Sequence, residues 1–535
     1  MFHQLVEPVS GSLALSFLVA AVPIAIVLIL LGVLRRPAWQ ASAGGLIVAL
    51  VLAVTVWKLP LRLGLDSIAA GATFALWPVM WIVFNALVLY NVAVKSGCFD
   101  AFRNWLVVHL PNDRRVVLVV IGFSFGCLLE GVAGFGTPIA ITSALLIGLG
   151  FPAIEALVFT LIFNTAPVAF GALGAPVTTL AAVTQLPDQM LGAMIGRQLP
   201  VIALLLPFYV IVAYGGLRAL RGVWPVLLVA GGSFGIAQFL SANYLGYALT
   251  DVLSSLISLA VTLGFVRIWR MTPDPAFALA IPPQTVATRA NGVGTWRGWT
   301  PWLVLSVTVI VWLHLKLPLL GQVQVEWPGL HNAVFITTYG KPYAAVWSFQ
   351  PLAAGTAILL ASAITCLLVG LGAAEFGQAM LRSFRQVRLP AITTMLIVGL
   401  AYLMNYSGMA YTLGVGIASV GALFPLVSAF LGWLAVFLSG SDTSGNALFG
   451  NLQVVAARQL DLSPILMAAT NSSGGVMGKM VSPQNICTGT VVTDLSGREG
   501  EVLARTFKHS IALTLLLGLL VLLQQYLFPA IIPHP

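Results

Sequence analysis

The sequence contains very little charge. Only 8% of its 535 residues are Asp, Glu, Lys or Arg, whereas 59% are hydrophobic, and the mean hydropathy is +0.99. A soluble globular domain carries about 25% charged residues. The composition therefore excludes a soluble protein and indicates a polytopic membrane protein.

Cysteine and histidine are also scarce. No C-x-x-C pair occurs among the four cysteines, and the six histidines show neither a metal-ligand spacing nor the partners of a nucleophile triad. The Walker A pattern G-x-x-x-x-G-K-[ST] is missing as well, which argues against an ATP-driven protein. We therefore predict no disulfide framework, no metal, no cofactor and no enzymatic activity.

Long apolar runs recur from end to end, as in "SLALSFLVAAVPIAIVLILLGVL" and "IALTLLLGLLVLLQQYLF". Each approaches the roughly 20 residues that a helix needs to cross about 30 Å of hydrocarbon. The alternating segments of a membrane β-barrel are absent. We predict an all-α polytopic membrane protein with about twelve transmembrane helices, the first run being a retained span and not a signal peptide.

The formal net charge of +9 comes from Lys and Arg in short loops between the apolar runs. Such residues mark the cytoplasmic side, so we expect no nucleic-acid partner. This rule places both termini and the segment 317–350 outside. It places these basic loops inside: Arg35/Arg36, Lys95 to Arg115, Arg218/Arg221, Arg267 to Arg297 and Arg382/Arg385/Arg388.

Two apolar regions are interrupted by polar, glycine-rich stretches. Residues 117–150 break at "LLEGVAGFGTPIA" and residues 427–458 break at "LSGSDTSGNALFG". Each half is too short to cross alone, so we predict two re-entrant helical hairpins. Irregular backbone at membrane depth is tolerated only where protein or water surrounds it, so the hairpin tips should face one another.

Each predicted hairpin is followed by a span interrupted in its middle: "NTAPVAFGALGAP" (164–176) after the first, and "TNSSGGVMGKMVSPQN" (470–485) after the second. By the loop charges, the first hairpin enters from the cytoplasm and the second from outside. An inverted repeat of this kind is typical of secondary transporters. We expect a first repeat over 1–269, a connecting region over 270–350, and a second repeat over 351–535.

Three ionisable side chains fall within the interrupted stretches: Glu130, Asp442 and Lys479. Each costs roughly 2.5–3.5 kcal/mol at the centre of a membrane helix, which favours a functional role. Lys479 would bind a substrate carboxylate, and Asp442 or Glu130 would carry a proton. Asp442 is preferred because "GSDTSGN" surrounds it with hydroxyls. The alternative is a buried ion pair that only holds the repeats together.

Neutral polar residues and glycines near the breaks could contact a small hydroxylated anion through side chains or backbone. Some of them could instead only satisfy freed helix backbone. These candidates are Asn164, Thr165, Gly171, Gly174, Ser441, Thr443, Ser444, Asn446, Asn471, Ser472, Ser473, Gly474, Ser482 and Gln484.

Four segments resemble the signature stretches of the lactate permease family: "EGVAGFGTPIAITSALLIGLGF", "NTAPVAFGALGAPV", "GSDTSGNALFGNLQ" and "GGVMGKMVSPQNI". The similarity covers nearly the whole chain. It implies a bacterial plasma (inner) membrane carrier that moves L-lactate and related 2-hydroxymonocarboxylates, such as D-lactate and glycolate, in symport with protons. A homodimer is compatible with this interpretation.

Two other functions compete with this hypothesis. A passive anion facilitator would have a continuous pore and would not concentrate its substrate. A sodium-coupled carrier of dicarboxylates could use the same scaffold, but one lysine flanked by carboxylates fits one substrate carboxylate and one proton better. Occluding hairpins argue for alternating access and against a pore.

Overall fold

Helices make up most of the protein in a computed structural model that describes residues 1–34, 36–134, 136–269, 274–279 and 295–533. Most of the predicted loop 270–298 lies outside these ranges. The first half contains α1 (Leu13–Leu28), α2 (Ala38–Thr55), α3 (Leu61–Phe74), α4 (Trp81–Lys95), α5 (Cys98–Val108), α6 (Arg114–Val117), α7 (Gly126–Val132), α8 (Thr137–Gly148), α9 (Ala153–Phe163), α10 (Gly171–Thr184), α11 (Asp188–Leu220), α12 (Trp224–Leu240) and α13 (Thr250–Ile268). The second half contains α14 (Thr300–His314), α15 (Ala354–Leu368), α16 (Ala373–Ser407), α17 (Met409–Ile417), α18 (Phe424–Ser439), α19 (Asp442–Gln459), α20 (Pro464–Lys479), α21 (Pro483–Val492) and α22 (Glu499–Tyr526).

The polytopic α-helical class predicted from composition is confirmed. Within the described residues, ten helices are long and apolar enough to cross a membrane, and a bent pair raises the number to eleven. The predicted count of about twelve is not reached by this criterion. One reason is length: α15 is apolar but has only 15 residues, and α20 has 16, fewer than the roughly 20 that a crossing needs.

The first predicted hairpin consists of two helical arms. A π-helical stretch, Leu118–Phe125, joins α6 to α7, and α8 packs back against α7 and this stretch. Gly126 on one arm faces Thr142 on the other arm. Both are the same number of residues from Gly134, which lies near the tip. The arm 114–132 is wholly buried inside the protein, whereas α1 is only 28% buried over its apolar stretch. This arm is therefore enclosed by protein, whereas α8 exposes Ala144 and Gly148.

The second predicted hairpin is formed by α18 and α19. Gly440 ends α18 in the left-handed conformation (φ 70°), and Ser441 caps α19 by accepting a hydrogen bond from the Ser444 amide at 3.4 Å. A Cβ at Gly445 would touch Val436 on the opposite arm. The two arms are therefore antiparallel around the Gly440 tip.

The two hairpins start from opposite ends of the molecule. Both ends of the first contact the last turns of α11: Arg115 donates to the Ala219 carbonyl at 3.2 Å, and the Phe151 and Tyr214 rings lie 6.3 Å apart. At the second hairpin, both ends lie against the last turn of α22. Tyr526 donates to the Ala422 carbonyl at 2.9 Å, and the Ser463 amide donates to Gln525 at 3.2 Å.

That last turn of α22 lies beside the first half of α11, because Gln524 donates to the Arg197 carbonyl at 3.2 Å. The bases of the hairpins therefore lie at the two ends of α11. This arrangement agrees with the expected inversion, while re-entrance into a bilayer stays a prediction.

The first broken span occurs where the sequence predicts it. Helix α9 ends at Phe163, and the path bends by 64° before α10 continues. Ala172, Leu173 and Gly174 all have positive φ, at 44°, 56° and 83°. Only glycine adopts this conformation freely, so a run of three such residues is unusual and breaks the helix sharply.

The second break was predicted too broadly. Residues 470–479 of the expected interruption form a regular part of α20, and the chain leaves the helix only over Met480–Ser482 before α21 begins. Helix backbone satisfies its own polar groups, so the run "TNSSGGVMGK" needs no irregular conformation to be buried. Pro483 then starts α21, as proline does at the first position of a helix.

The segment 317–350, to which the sequence assigned no role, contains short strands. β2 (Val323–Glu326) pairs antiparallel with β5 (Val346–Phe349), and β3 (Val334–Ile336) pairs antiparallel with β4 (Lys341–Pro342). β1 (Phe2–His3), at the N-terminus, runs parallel to β3. The N-terminus and this segment therefore lie at the same end of the protein.

Helices α18 and α20 pack with their backbones in direct contact. A Cβ at Gly432, Gly474 or Gly478 would overlap a backbone oxygen of the facing helix. Small residues at such interfaces allow helices in membranes to approach closely. The second hairpin and the second broken span are therefore joined by helix packing that only glycine permits.

We expect Gly432→Ala to destabilise the protein, because its new methyl group would meet the carbonyl oxygen of Asn471. Overpacking of this kind costs about 1–3 kcal/mol. Gly377→Ala, on the exposed face of α16 with nothing near its Cβ position, is the matched control and should be neutral or stabilising. Thermal unfolding in detergent measures both, and equal melting temperatures would contradict the packing argument.

Candidate functional site

Lys479 and Glu130 form a buried ion pair. The Lys479 Nζ lies 2.6 Å from Glu130 Oε1, and the two residues are only 6% and 3% exposed. Lys479 is the last residue of α20, at the second break, and Glu130 lies in α7 near the tip of the first hairpin. The pair therefore joins the two halves of the chain.

The first break contacts the same carboxylate. Asn164, directly after α9, donates from Nδ2 to Glu130 Oε2 at 3.0 Å. Gly171, at the start of α10, lies against Glu130, since a Cβ there would be 3.0 Å from Oε1. Each oxygen of Glu130 thus has a partner, and the charges of the pair compensate each other away from water.

A second polar cluster surrounds Asp442 at the start of α19. Its Oδ2 accepts hydrogen bonds from Ser472 Oγ at 2.5 Å and from Asn446 Nδ2 at 3.3 Å. Asn471 continues the network by donating to Asn446 Oδ1 at 2.9 Å and accepting from Gln453 Nε2 at 2.7 Å. Sequence reasoning missed Gln453.

The two clusters are neighbours along α20. Gly475 lies one turn before Lys479, and a Cβ at Gly475 would be 2.5 Å from Asp442 Oδ1. Ser472, which donates to Asp442, is seven residues before Lys479 and therefore on the same face of the helix. A single face of α20 thus presents Lys479 to one hairpin and Ser472 to the other.

The second hairpin tip also contacts both breaks. Asn485 donates to the Gly440 carbonyl at 3.0 Å, and Ser482 and Gln484 both lie against Gly440. Asn446 donates to the Pro176 carbonyl in α10 at 3.2 Å. Contacts therefore link the two hairpin tips and the two breaks.

The other predicted residues have local contacts. Thr165 donates to the Ile162 carbonyl at 2.8 Å and so satisfies the broken end of α9. Ser441 and Ser444 form the cap of α19, and Thr443 is half-buried in its first turn. Gly474 packs on α18, and Gly174 packs against the Tyr247 ring.

Asp251 is a buried acidic residue near this site that the sequence reasoning did not select. It lies in the first turn of α13, is 1% exposed, and sits directly beside Gly131, the neighbour of Glu130. The criterion that selected Glu130, an ionisable residue within an apolar span, also applies to Asp251, since it is the lone Asp at the start of the apolar span "YALTDVLSSLISLAV". It was missed because it lies in no glycine-rich motif.

Several buried polar atoms near the clusters have no hydrogen-bond partner among the described residues. They are Asn164 Oδ1, Asp442 Oδ1, Ser473 Oγ and Ser482 Oγ. Unsatisfied buried polar atoms are costly and often mark positions where a ligand or water binds. In the described ranges, no three His, Cys, Asp or Glu side chains are arranged to hold a metal ion.

A cavity of about 880 Å³ lies at the end of the molecule that carries the strands. Thr178 and Tyr247 line it, together with Trp347 from β5. The Tyr247 hydroxyl donates to Asp188 at 3.0 Å and contacts Thr178 at 3.1 Å, while its ring rests on Gly174. Tyr247 therefore stands between this cavity and the first break.

Fold and site define a polytopic membrane protein whose discontinuous helices converge on a buried ionic cluster. A family model for L-lactate permeases matches residues 16–528. The chain belongs to the L-lactate permease family.

Curated relatives cover nearly the whole chain. The glycolate permease GlcA of Escherichia coli K12 is 39% identical, with 97% of each chain covered. The L-lactate permease of Bacillus subtilis 168 is 38% identical over 99% of each chain, and that of Escherichia coli K12 is 37% identical over 100% of each.

Two solved structures of transport proteins show a weaker likeness. The YdaH transporter of Alcanivorax borkumensis is 17% identical, with a TM-score of 0.45, over 86% of this chain and 87% of its own. MtrF of Neisseria gonorrhoeae is 13% identical, with a TM-score of 0.46, over 86% and 82%. Likeness at this level does not bear on function.

Removing one member of the buried pair should destabilise the protein more than removing both. Lys479→Met leaves Glu130 buried without its counter-ion, which costs roughly 3–5 kcal/mol. Adding Glu130→Gln removes the uncompensated charge and should restore part of that loss. Thermal unfolding of both single variants and the double variant gives the interaction free energy between the two side chains.

Arg498→Met is the control, because it breaks an exposed pair with Glu501 (2.6 Å) that contributes little. Strictly additive effects of Lys479→Met and Glu130→Gln would mean that the two side chains do not act as a pair.

Proposed function

We propose that this protein carries lactate and related 2-hydroxymonocarboxylates, such as D-lactate and glycolate, across the bacterial plasma membrane in symport with protons. The observation that carries the proposal is the buried Lys479–Glu130 pair where a hairpin tip meets both helix breaks. Family membership and the names of the L-lactate and glycolate permeases support the substrate class.

Lys479 is the proposed anchor for the substrate carboxylate. A monocarboxylate can replace Glu130 as its partner, because one carboxylate is exchanged for another at the same ammonium group. The 2-hydroxyl could then donate to an acceptor that lacks a partner, such as Asn164 Oδ1 or Asp442 Oδ1. A small hydroxylated anion therefore fits the charges and hydrogen-bonding groups of the site.

Proton coupling follows from the same exchange. When the substrate takes Lys479, Glu130 loses its counter-ion, and an unpaired carboxylate in a buried position is strongly unfavourable. A proton on Glu130 removes that charge, so the loaded site holds one anion and one proton. Its contact with Lys479 makes Glu130 the better candidate here, whereas the sequence favoured Asp442. Asp442 remains the second candidate.

The hairpins are the proposed gates of an alternating-access cycle. Their bases lie at opposite ends of α11, so each could open the shared site to one side of the membrane. The expected orientation places both termini outside, and a homodimer stays a prediction.

Uptake into proteoliposomes tests the function. Purified protein should accumulate labelled lactate when an inward proton gradient is imposed, without sodium. Accumulation that requires sodium would favour the sodium-coupled alternative, and equilibration without accumulation would favour a passive facilitator.

In the same assay, we test Glu130→Gln and Asp442→Asn. The variant that removes the coupling residue should abolish lactate accumulation. Lactate counterflow requires no net proton movement and can persist in that variant. If both variants still accumulate lactate as the wild type does, proton coupling lies at neither residue.

Substitution of Lys479 tests the anchor. Lys479→Met should nearly abolish lactate binding, since no cation then remains in the pair. Lys479→Arg should also weaken binding, because a planar, larger guanidinium does not fit a site built for a compact ammonium group. A binding assay in detergent measures both, and unchanged affinity in Lys479→Met would assign this lysine a structural role only.

A further inference from the structure

The Asp251 carboxyl group has no partner among the described residues, although it is almost completely buried. Both Oδ1 and Oδ2 are shielded from solvent and lack a hydrogen bond. In contrast, both oxygens of Glu130 are satisfied, by Lys479 and Asn164. Asp251 lies against the turn of α7 that carries Glu130, because the Asp251 Cβ is 2.8 Å from the position that a Cβ would take on Gly131.

Few charged or titratable groups face Asp251. Glu130 and Cys127 face it from α7, and Lys479 interacts with it from the end of α20. Helix α13 also packs against α10, α12 and the stretch Leu118–Phe125, none of which contains Asp, Glu, Lys, Arg, His or Cys. It further contacts α14 and the turns 241–249, whose titratable groups His314 and Tyr244 are exposed. Tyr247, in the turn before α13, is already bound to Asp188.

Charge balance limits the states of this cluster. Lys479 already compensates Glu130, so an ionised Asp251 would leave a net negative charge in the protein interior. The N-terminal dipole of α13 offers only about half an elementary charge. An uncharged, protonated Asp251 makes the group of three side chains neutral, which is the state that costs least when it is buried.

We infer that Asp251 is the proton donor to Glu130, the carboxyl group that holds the transported proton while Glu130 is paired with Lys479. This inference rests on the proposed symport. The transfer requires the two carboxyl groups to come into hydrogen-bond contact, directly or through one water; the O–H bond of Asp251 then breaks and an O–H bond forms on Glu130. Asp251 becomes the carboxylate, Glu130 becomes neutral, and Lys479 is released without any change in the total charge.

The released Lys479 then binds the lactate carboxylate, and Asp251 takes up the next proton from the open side of the membrane. The cluster again has no net charge, having gained one lactate anion and one proton. Asp251 thus explains how Lys479 can leave a strong buried partner before the substrate has fully replaced it, and it fixes one proton per lactate.

Asp251→Asn tests this role, since the amide keeps the size of the side chain and removes the exchangeable proton. In proteoliposomes, this variant should bind lactate more weakly than the wild type, because Glu130 then keeps its charge beside the bound anion, and at saturating lactate it should still catalyse counterflow. Its accumulation under a proton gradient should fall to the level of protein-free liposomes, and an internal pH dye should report no proton entry with lactate. Asp461→Asn is the matched control, because Asp461 is exposed in the loop between α19 and α20.

The outcomes separate this inference from the proposed function. If wild-type protein does not accumulate lactate under a proton gradient, the symport fails and the inference fails with it. If wild type and Asp251→Asn accumulate lactate equally, only the role of Asp251 is overturned. Weakened lactate binding with intact coupling would also overturn it, because Asp251 would then only help to position Lys479.

If Asp251→Asn loses lactate counterflow, the substitution has damaged the fold, and a second variant is needed. Asp251→Glu restores a titratable carboxyl group at this position. Proton-driven accumulation in Asp251→Glu would then support the inference, and its absence would overturn it.

Discussion

The central constraint on this protein is the cost of placing charge inside a low-dielectric interior. Lys479 and Glu130 are buried together because neither could be buried with its charge unpaired. Their contact requires the end of α20 and the tip of the first hairpin to meet, although 349 residues separate them in the chain. Much of the surrounding architecture serves to bring these two points together.

Close helix packing makes that meeting possible. Glycines at 432, 474 and 478 allow α18 and α20 to touch through their backbones, and Gly475 leaves room for Asp442. Apolar helices such as α1 and α2 are mostly exposed at the periphery, while the more polar α19 and α20 are buried in the interior. This reverses the pattern of a soluble protein, because here lipid is the outer solvent.

A neutral cluster that can rearrange internally is well suited to alternating access. The proposed exchange of the Lys479 partner, between Glu130 and a substrate carboxylate, would change few contacts and keep the net charge small. The strained left-handed residues Ala172 and Leu173 directly follow Gly171, which lies against the same carboxylate. The backbone irregularity and the proposed exchange of ion-pair partners therefore lie at one place.

Sequence patterns alone determined the membrane class, the two interrupted regions and the three ionisable residues Glu130, Asp442 and Lys479, because each depends on local composition that burial in lipid makes unusual. The tertiary structure decided the rest. It paired Lys479 with Glu130 and not with Asp442, kept residues 470–479 helical, and brought Asp251 against the turn of α7 that carries Glu130. Contacts between distant segments decide these features: which carboxylate reaches a lysine depends on how the hairpins and broken helices pack, and residue order along the chain does not encode that geometry directly.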